Sequence, residues 1–346
     1  MNKKSLSNII NWISGDIAID LGTANTLIWL KGQGVVINEP SIVARTIHDD
    51  NIVAVGDEAK AMLGRTHRDL ETIRPLQDGV IADFKMTDGM LQGFINKINF
   101  SRMARPRMVI CVPSGVTEVE RRAVKDSGER ANAREVYLIE EPVAAAIGIG
   151  LDISQPIGNI IVDIGGGTTE IAVIALSGIV CDQSIRVAGD SFNKDILDYM
   201  RRQHNLLIGE RTAERVKIEV GSALTELDDG PEDYEIRGRD LMTGIPKVIK
   251  ISYSEIAFAI DKSVSKIEEA VLKALEISPP ELSADIYDNG IYLTGGGALL
   301  RGLDKRLSMK TKLPIHIAED PLACVAVGTG KALEQEEIFS TVLSEY

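Results

Sequence analysis

Asp20-Leu21-Gly22-Thr23-Ala24-Asn25-Thr26 returns in altered form as Asp163-Ile164-Gly165-Gly166-Gly167-Thr168-Thr169. Each copy follows a short β-branched run, Ile17-Ala18-Ile19 or Asn159-Ile160-Ile161-Val162. Each also precedes one, Leu27-Ile28-Trp29-Leu30 or Ile171-Ala172-Val173-Ile174. A strand, an Asp, a Gly/Thr turn and a second strand predict a β-hairpin whose tip can cradle phosphate. Glycine lets the backbone approach an anion closely, and the turn supplies N–H donors. The Asp closing each first strand can hold a hydrated divalent cation beside those phosphates. One such hairpin is a weak signal. Two, one in each half of the chain, predict a duplicated domain that clamps one nucleotide from both sides.

Composition fits that expectation. The chain has 346 residues, room for about two domains that each bury a core. Hydrophobic residues make up 44% and aromatics only 4%, so the core is mostly aliphatic. Fifty-one acidic against 38 basic residues give a formal charge of −13, which argues against nucleic acid as a partner. Cys111, Cys181 and Cys324 stand far apart in apolar runs, without metal-ligand spacing or a disulfide framework. They read as buried, reduced thiols of a cytosolic protein. The four histidines are scattered, which speaks against a His-based metal site. No apolar run reaches the roughly 18 residues needed to span a membrane. Lys3 and Lys4 precede apolar residues interrupted by Asn8 and Asn11, with no small-residue cleavage site, which argues against a signal peptide.

Strands and helices alternate along both halves, which predicts α/β units. In the first half, strands are expected at 34–37, 52–55, 108–112 and 135–139, and helices at 57–63, 88–98 and 143–147. Thr117 and Glu120 form a capping box that opens a further helix. In the second half, helices are expected at 192–204, 212–223 and 254–275, the last with apolar positions Ile256, Ile260, Val264, Ile267 and Val271. Strands are expected at 234–236, 247–251 and 291–294. Asp228 to Asp233 reads as a solvated acidic turn. A third glycine turn, Thr294-Gly295-Gly296-Gly297-Ala298, leaves a strand and opens a helix near Ala298, whose N-terminus would offer free N–H groups. A single Gly triplet is ordinarily a tight turn chosen for backbone geometry. Three glycine-bearing turns, each leaving a β-branched strand, point to a nucleotide site.

With these turns in place, the chain resembles the actin and sugar-kinase ATPase superfamily, which also includes heat-shock chaperones. Asp20 to Thr26 matches its first phosphate motif, Asp163 to Thr169 the second, and Thr294 to Ala298 the adenosine motif. Glu141 to Gly148 matches the first connecting helix, and Cys324 to Ala332 the second. Agreement in DLGTANT, LIEEPVAAAIG, VDIGGGTTE, ERVKIEVG and YLTGGGALL is dense enough to narrow the resemblance to the MreB family of bacterial actins, over nearly the whole length. Val143 departs from the Met of many members but stays apolar.

The resemblance implies an actin-like α/β fold with two RNase H-like duplicated domains. It implies domain IA at 1–32, 75–150 and 323–346, IB at 33–74, IIA at 151–188 and 250–322, and IIB at 189–249. It also implies ATP or ADP and Mg²⁺ as cofactors. Glu141 would position the attacking water, with Glu140 as the alternative, because a carboxylate there can accept the water's proton. A helix-N-terminal role for Glu141 beside Pro142 is compatible with this. Asp20 and Asp163 would hold Mg²⁺ through its waters. Thr168 would help orient water. Gly22, Thr23, Ala24, Asn25, Gly165, Gly166 and Gly167 would line the phosphates, and Gly295, Gly296, Gly297 and Ala298 the adenosine. Glu214 and Lys217, at i and i+3, form an ordinary surface pair by spacing alone. The resemblance places them against ribose and adenine.

Two function classes follow: a nucleotide-gated filament, or a small-molecule kinase. A kinase needs a base for a substrate hydroxyl and commonly an insertion, and neither is found, so the filament is expected. The resemblance then implies a cytoskeletal polymer guiding rod-shaped growth and wall synthesis. Its partners would be further copies of itself and membrane proteins of the elongation machinery. The helix from Thr117 exposes Glu118, Arg121, Arg122 and Lys125 around Val119, and the family uses this region to pair protofilaments antiparallel, here through Val119 and Arg122. Leu6, Ile9, Ile10 and Ile13 make one apolar helix face with Trp12 at its border. A loop at 100–107 sets Phe100 and Met103 among Arg102, Arg105 and Arg107. The two segments predict peripheral docking on the inner face of the cytoplasmic membrane. The bland alternative is a helix covering its own domain and a solvated loop.

Overall fold

The computed structural model describes residues 15–98 and 105–344. The N-terminal apolar face and the Phe100 and Met103 positions lie outside the described residues. The chain divides into two units, Met1–Ile157 with Ile174–Ile179 and Leu322–Tyr346, and Gly158–Val173 with Val180–Pro321.

In the first unit the chain runs β1 (Ile17–Leu21), β2 (Asn25–Leu30), β3 (Gly34–Pro40), β4 (Val43–Thr46), β5 (Ile52–Val55), β6 (Leu70–Ile73), β7 (Leu76–Gln77), β8 (Val80–Ile81), β9 (Arg107–Val112) and β10 (Glu135–Glu140). A five-stranded sheet takes the order β10-β9-β1-β2-β3, and β5-β4-β6 make a smaller one. β1 pairs antiparallel with β2 but parallel with β9, and β9 parallel with β10. Ile17, Ile19, Ile28, Met108 and Ile110 are buried in this sheet, with Met86, Met90 and Phe94 of the Phe84–Lys97 helix packed over them. Helix Glu141–Ile149 and helix Cys324–Glu334 pack closely through small residues. A Cβ on Gly328 would lie 1.7 Å from the Ala144 carbonyl oxygen, so only glycine permits this approach. Lys331 Nζ donates to the Ile147 and Gly148 carbonyls at 3.2 and 3.1 Å, a cation at the helix C-terminal end.

The second unit contains β11 (Asn159–Ile164), most of β12 (Thr169–Ala175) and of β13 (Gly178–Ile185), whose joined ends at Ile174–Ile179 count with the first unit, and β14 (Leu206–Leu207), β15 (Tyr234–Asp240), β16 (Pro246–Ile251), β17 (Ile291–Thr294) and β18 (Ile315–Ile317). Its main sheet has the order β13-β12-β11-β17-β18, with β14-β15-β16 as a satellite. The five apolar positions expected along the Tyr253–Ile277 helix are all buried. Its N-terminus is a capping box of Ser252 and Glu255.

Four sequence expectations change. The third glycine turn opens a single 3₁₀ turn, Gly296–Leu299, and the α-helix begins only at Leu303. Gly295 at φ +76° and Gly302 at φ +73° bend the backbone away from helical geometry on either side. Arg121 is turned in rather than exposed, its guanidinium donating to Glu140 at 2.9 Å. Arg107 is no loop cation, because it starts β9 and pairs with Asp16 and Glu336. Cys181 is half-buried, whereas Cys111 and Cys324 are buried.

Candidate functional site

In the first unit the β1–β2 hairpin carries Asp20 on β1 and Gly22-Thr23-Ala24 at the tip. A Cβ on Gly22 would lie 2.7 Å from the Asn25 carbonyl oxygen, so the turn closes only over glycine. Ser41 fixes this tip. Its hydroxyl donates to the Gly22 carbonyl at 2.6 Å, and its N–H to the Ala24 carbonyl at 2.9 Å. Thr23 Oγ1 accepts from the Gly79 N–H at 3.0 Å, tying the tip to the β7–β8 hairpin. Three hydrogen bonds thus tie the tip to Ser41 and Gly79.

Glu141 begins the helix that follows β10, and Glu140 is the last residue of that strand. The step from strand to helix sends the two side chains apart. Glu140 meets Arg121, while Glu141 meets Asp20 and Cys111, with one ligand atom of each within 4.8 Å of the others. The Cys111 thiol donates to Asp20 Oδ1 at 3.4 Å. Burial first, then the Asp20 and Glu141 charges, hold this thiol well above the ordinary cysteine range. It is therefore a protonated donor, not a nucleophile.

In the second unit the β11–β12 hairpin is closed by the Gly165 N–H donating to the Thr168 carbonyl at 2.9 Å. The Gly165 and Gly166 carbonyls accept from the N–H groups of Gly189 and Asp190 at 3.2 and 2.8 Å. The N-terminus of helix Gly189–His204 thus anchors the turn. Lys217 Nζ donates to the Gly189 carbonyl at 3.0 Å, which brings Lys217 beside the same turn. Glu214 shares with it the half-buried side of helix Glu210–Val220, whose other face is solvent. Gly167 and Thr168 are buried.

Asp163 pairs with Thr294 across the parallel β11 and β17 strands, and the Thr294 hydroxyl donates to Asp163 Oδ1 at 2.8 Å. Asp163 is only 6% exposed. Burial pushes it up to about 6, the Thr294 hydrogen bond opposes this, and the Glu170 charge adds to the rise. Gly295 packs on this pair, and a Cβ there would lie 2.4 Å from the Ile164 carbonyl oxygen. Gly296 and Gly297 continue into the 3₁₀ turn, and Ala298 is buried, so its side chain faces the core. Arg301 Nη1 donates to the Ile218 and Gly221 carbonyls at 3.0 and 3.4 Å, joining this turn to the end of helix Glu210–Val220.

The MreB/Mbl protein family model matches residues 14–341. The chain belongs to the MreB/Mbl family. It is 53% identical over 327 residues to the cell shape-determining protein MreB of Escherichia coli strain K12, covering 93% of this chain and 94% of that protein. It is 51% identical over 320 residues to the cell shape-determining protein Mbl of Bacillus subtilis strain 168, covering 92% and 96%. The crystal structure of Spiroplasma citri MreB5 bound to AMPPNP superposes with a TM-score of 0.88 at 41% identity, over 94% of this chain and 97% of that one. The fold is therefore the actin-like α/β fold of MreB/Mbl proteins.

Sequence reasoning missed several residues of these groups. Cys111 is the buried thiol the sequence predicts, but its neighbours Asp20 and Glu141 come from β1 and from the helix after β10. Glu170 is fully buried on β12 and accepts from the Ser184 hydroxyl at 2.6 Å. An acid inside a β-branched strand was the available signal. Ser41 carried none. Val119 is 78% exposed and Arg122 is exposed beside it.

Proposed function

We propose that this chain is an ATP-dependent, actin-like filament protein whose hydrolysis times assembly, and which shapes rod growth by organising wall synthesis. The observation that carries the reading is the pair of Asp-headed hairpins on a member of the MreB/Mbl family, each with its turn braced from behind. The curated relatives are named for cell-shape determination, and the Spiroplasma structure holds AMPPNP. The small-molecule kinase alternative has no observation in its favour.

The residues fit a magnesium nucleotide. Asp163, buried and raised to about 6, sits where a cation would relieve the cost of its charge. Mg²⁺ would supply charge neutralisation at the phosphates, and Asp20 and Asp163 would hold it through its waters. The backbones of 22–25 and 165–168 face phosphate, and those of 295–298 adenosine, with Glu214 and Lys217 toward ribose and base. Glu141 orients water and takes its proton, assisted by the Thr168 hydroxyl, and Glu140 stays with Arg121. The outer subdomains are 33–74 and 189–249, and 1–32, 75–150 and 323–346 form IA, with 151–188 and 250–322 as IIA.

The polymer docks peripherally on the inner face of the cytoplasmic membrane through Leu6, Ile9, Ile10, Trp12, Ile13, Phe100 and Met103. There it meets membrane proteins of the elongation machinery. Among the described residues no helix is long and apolar enough to cross a membrane. Electron microscopy of the purified protein with Mg-ATP, with and without anionic liposomes, tests the reading. Filaments that coat liposomes are expected, with coating lost in Ile9→Glu/Ile13→Glu. Single globular particles under every condition would overturn it.

A further inference from the structure

The order β10-β9-β1 places three parallel strands side by side, with Ile19 level with Ile110 and Ile139 level with Cys111. Asp20 near the end of β1, Cys111 near the end of β9 and Glu141 just past β10 therefore share one rim. It is the carboxyl-terminal rim, where parallel sheets form ligand sites. β1, β9 and the start of the helix after β10 contribute one donor atom each, one sulfur and two carboxylate oxygens, all within 4.8 Å of one another. We propose that Asp20, Cys111 and Glu141 form a binding site for a thiophilic divalent cation, Zn²⁺ or Cd²⁺.

The donor set selects the ion. Zn²⁺ accepts thiolate sulfur at about 2.3 Å and carboxylate oxygen at about 2.1 Å, which sets tetrahedral donors about 3.5 Å apart. The Cys111 to Asp20 separation of 3.4 Å already meets that spacing. The Glu141 oxygen, within 4.8 Å of the other two donors, has at most about 1.3 Å to close to reach that spacing. Mg²⁺ takes oxygen ligands and gains nothing from sulfur. As the sulfur–metal bond forms, the thiol proton leaves to solvent, so binding is an exchange of one proton for one metal ion at Cys111. Three protein donors leave a fourth position open. Because the site uses Asp20 and Glu141, the ion bound there removes both from the roles assigned above, and zinc acts as an inhibitor of hydrolysis. The inference stands on the first unit alone and needs no nucleotide.

The full-length chain, stripped of metal and nucleotide, is titrated with Cd²⁺ while the sulfur-to-cadmium charge-transfer absorption is read. The expected result is saturation at one equivalent, a band kept in Cys181→Ser and lost in Cys111→Ser. Asp20→Asn and Glu141→Gln should each weaken Cd²⁺ by about tenfold or more. Zn²⁺ should displace the cadmium, and a large excess of Mg²⁺ should not. Melting curves check each fold, and Cys111→Ala replaces the serine variant if that one fails. A band surviving loss of Cys111, or Asp20→Asn and Glu141→Gln affinities equal to wild type, overturns the site. Binding of a fluorescent ADP analogue, measured on the same samples, reports separately on the nucleotide reading.

Discussion

Asp163→Asn should make the metal-free and nucleotide-free protein more stable at neutral pH while weakening its response to Mg-nucleotide. The Asp163 carboxyl rises from an ordinary 3.8 to about 6 on folding, chiefly through burial. At about 1.4 kcal/mol per pH unit, charging it inside the fold costs about 3 kcal/mol. The folded state binds this proton more tightly than the unfolded chain. The cost is therefore absent below pH 3.8, grows as pH rises through 3.8 to about 6, and is complete above that. Asparagine carries no charge at any pH, and its Oδ1 can still accept from the Thr294 hydroxyl, now at 2.8 Å. Its added amide donors, if left unpaired, take back about 1–3 kcal/mol at every pH. The slope is then a cleaner readout than the absolute gain. The stability difference, variant minus wild type, should grow by about 1.4 kcal/mol between pH 5 and pH 8. Urea unfolding followed by circular dichroism, in chelator, measures it. A difference that stays flat across that range refutes the account, because shape would then explain the effect and charge would not. Adding Mg-ADP should stabilise wild type by ligand linkage and the variant far less.

Glu141→Gln should spare nucleotide affinity and slow single-turnover hydrolysis by about 10²-fold or more, whereas Glu140→Gln loses only a partly exposed ion pair worth less than about 1 kcal/mol. Normal hydrolysis by Glu141→Gln would pass the role to Glu140 or Thr168. Gly328→Ala should destabilise the first unit by about 1–3 kcal/mol or more, since its Cβ would meet the Ala144 carbonyl oxygen at 1.7 Å. An unchanged urea midpoint would show that the two helices can part without cost. Val119→Glu should leave the melting temperature unchanged, since the side chain is 78% exposed, but abolish paired filaments, because a two-fold contact counts one change twice. Paired filaments in that variant would return the helix to an ordinary solvated face.

What could be read from the chain was local in character. The two hairpins are contiguous strings in which each residue acts on its near neighbours, as the Gly22 and Gly165 turns do. The Thr117–Glu120 capping box closes within four residues. The Tyr253–Ile277 helix declares its buried face through a 3.6-residue period. The third turn defeated the same kind of reading. Ala298-Leu299-Leu300 looks like a helix start, but Gly295 is pressed onto Ile164 at positive φ, and only a 3₁₀ turn fits before Gly302 turns the chain again. There tertiary packing overrode local preference.

The remaining misreadings share a geometric cause. Cys111 and Asp20 are 91 residues apart, and only the parallel insertion of β9 beside β1 makes them neighbours. Periodicity marked Arg121 as part of a solvated face with Arg122, since nothing local reveals a carboxylate 19 residues further on. That same pair separates the two acids of Glu140-Glu141, holding Glu140 at Arg121 while Glu141 lies beside Asp20 and Cys111. At a strand-to-helix step, consecutive side chains leave in different directions, so the two carboxylates cannot both reach Asp20. Sequence spacing carries that much. The Glu118–Arg130 helix supplies Arg121 on the Glu140 side, so the acid that points away from Asp20 ends in an ion pair. A swap of that cation, Arg121→Glu, would leave Glu140 facing a like charge while leaving Glu141 beside Asp20 and Cys111. The position of Glu141 is thus set by the strand-to-helix step itself, and Arg121 only gives the outward acid a partner.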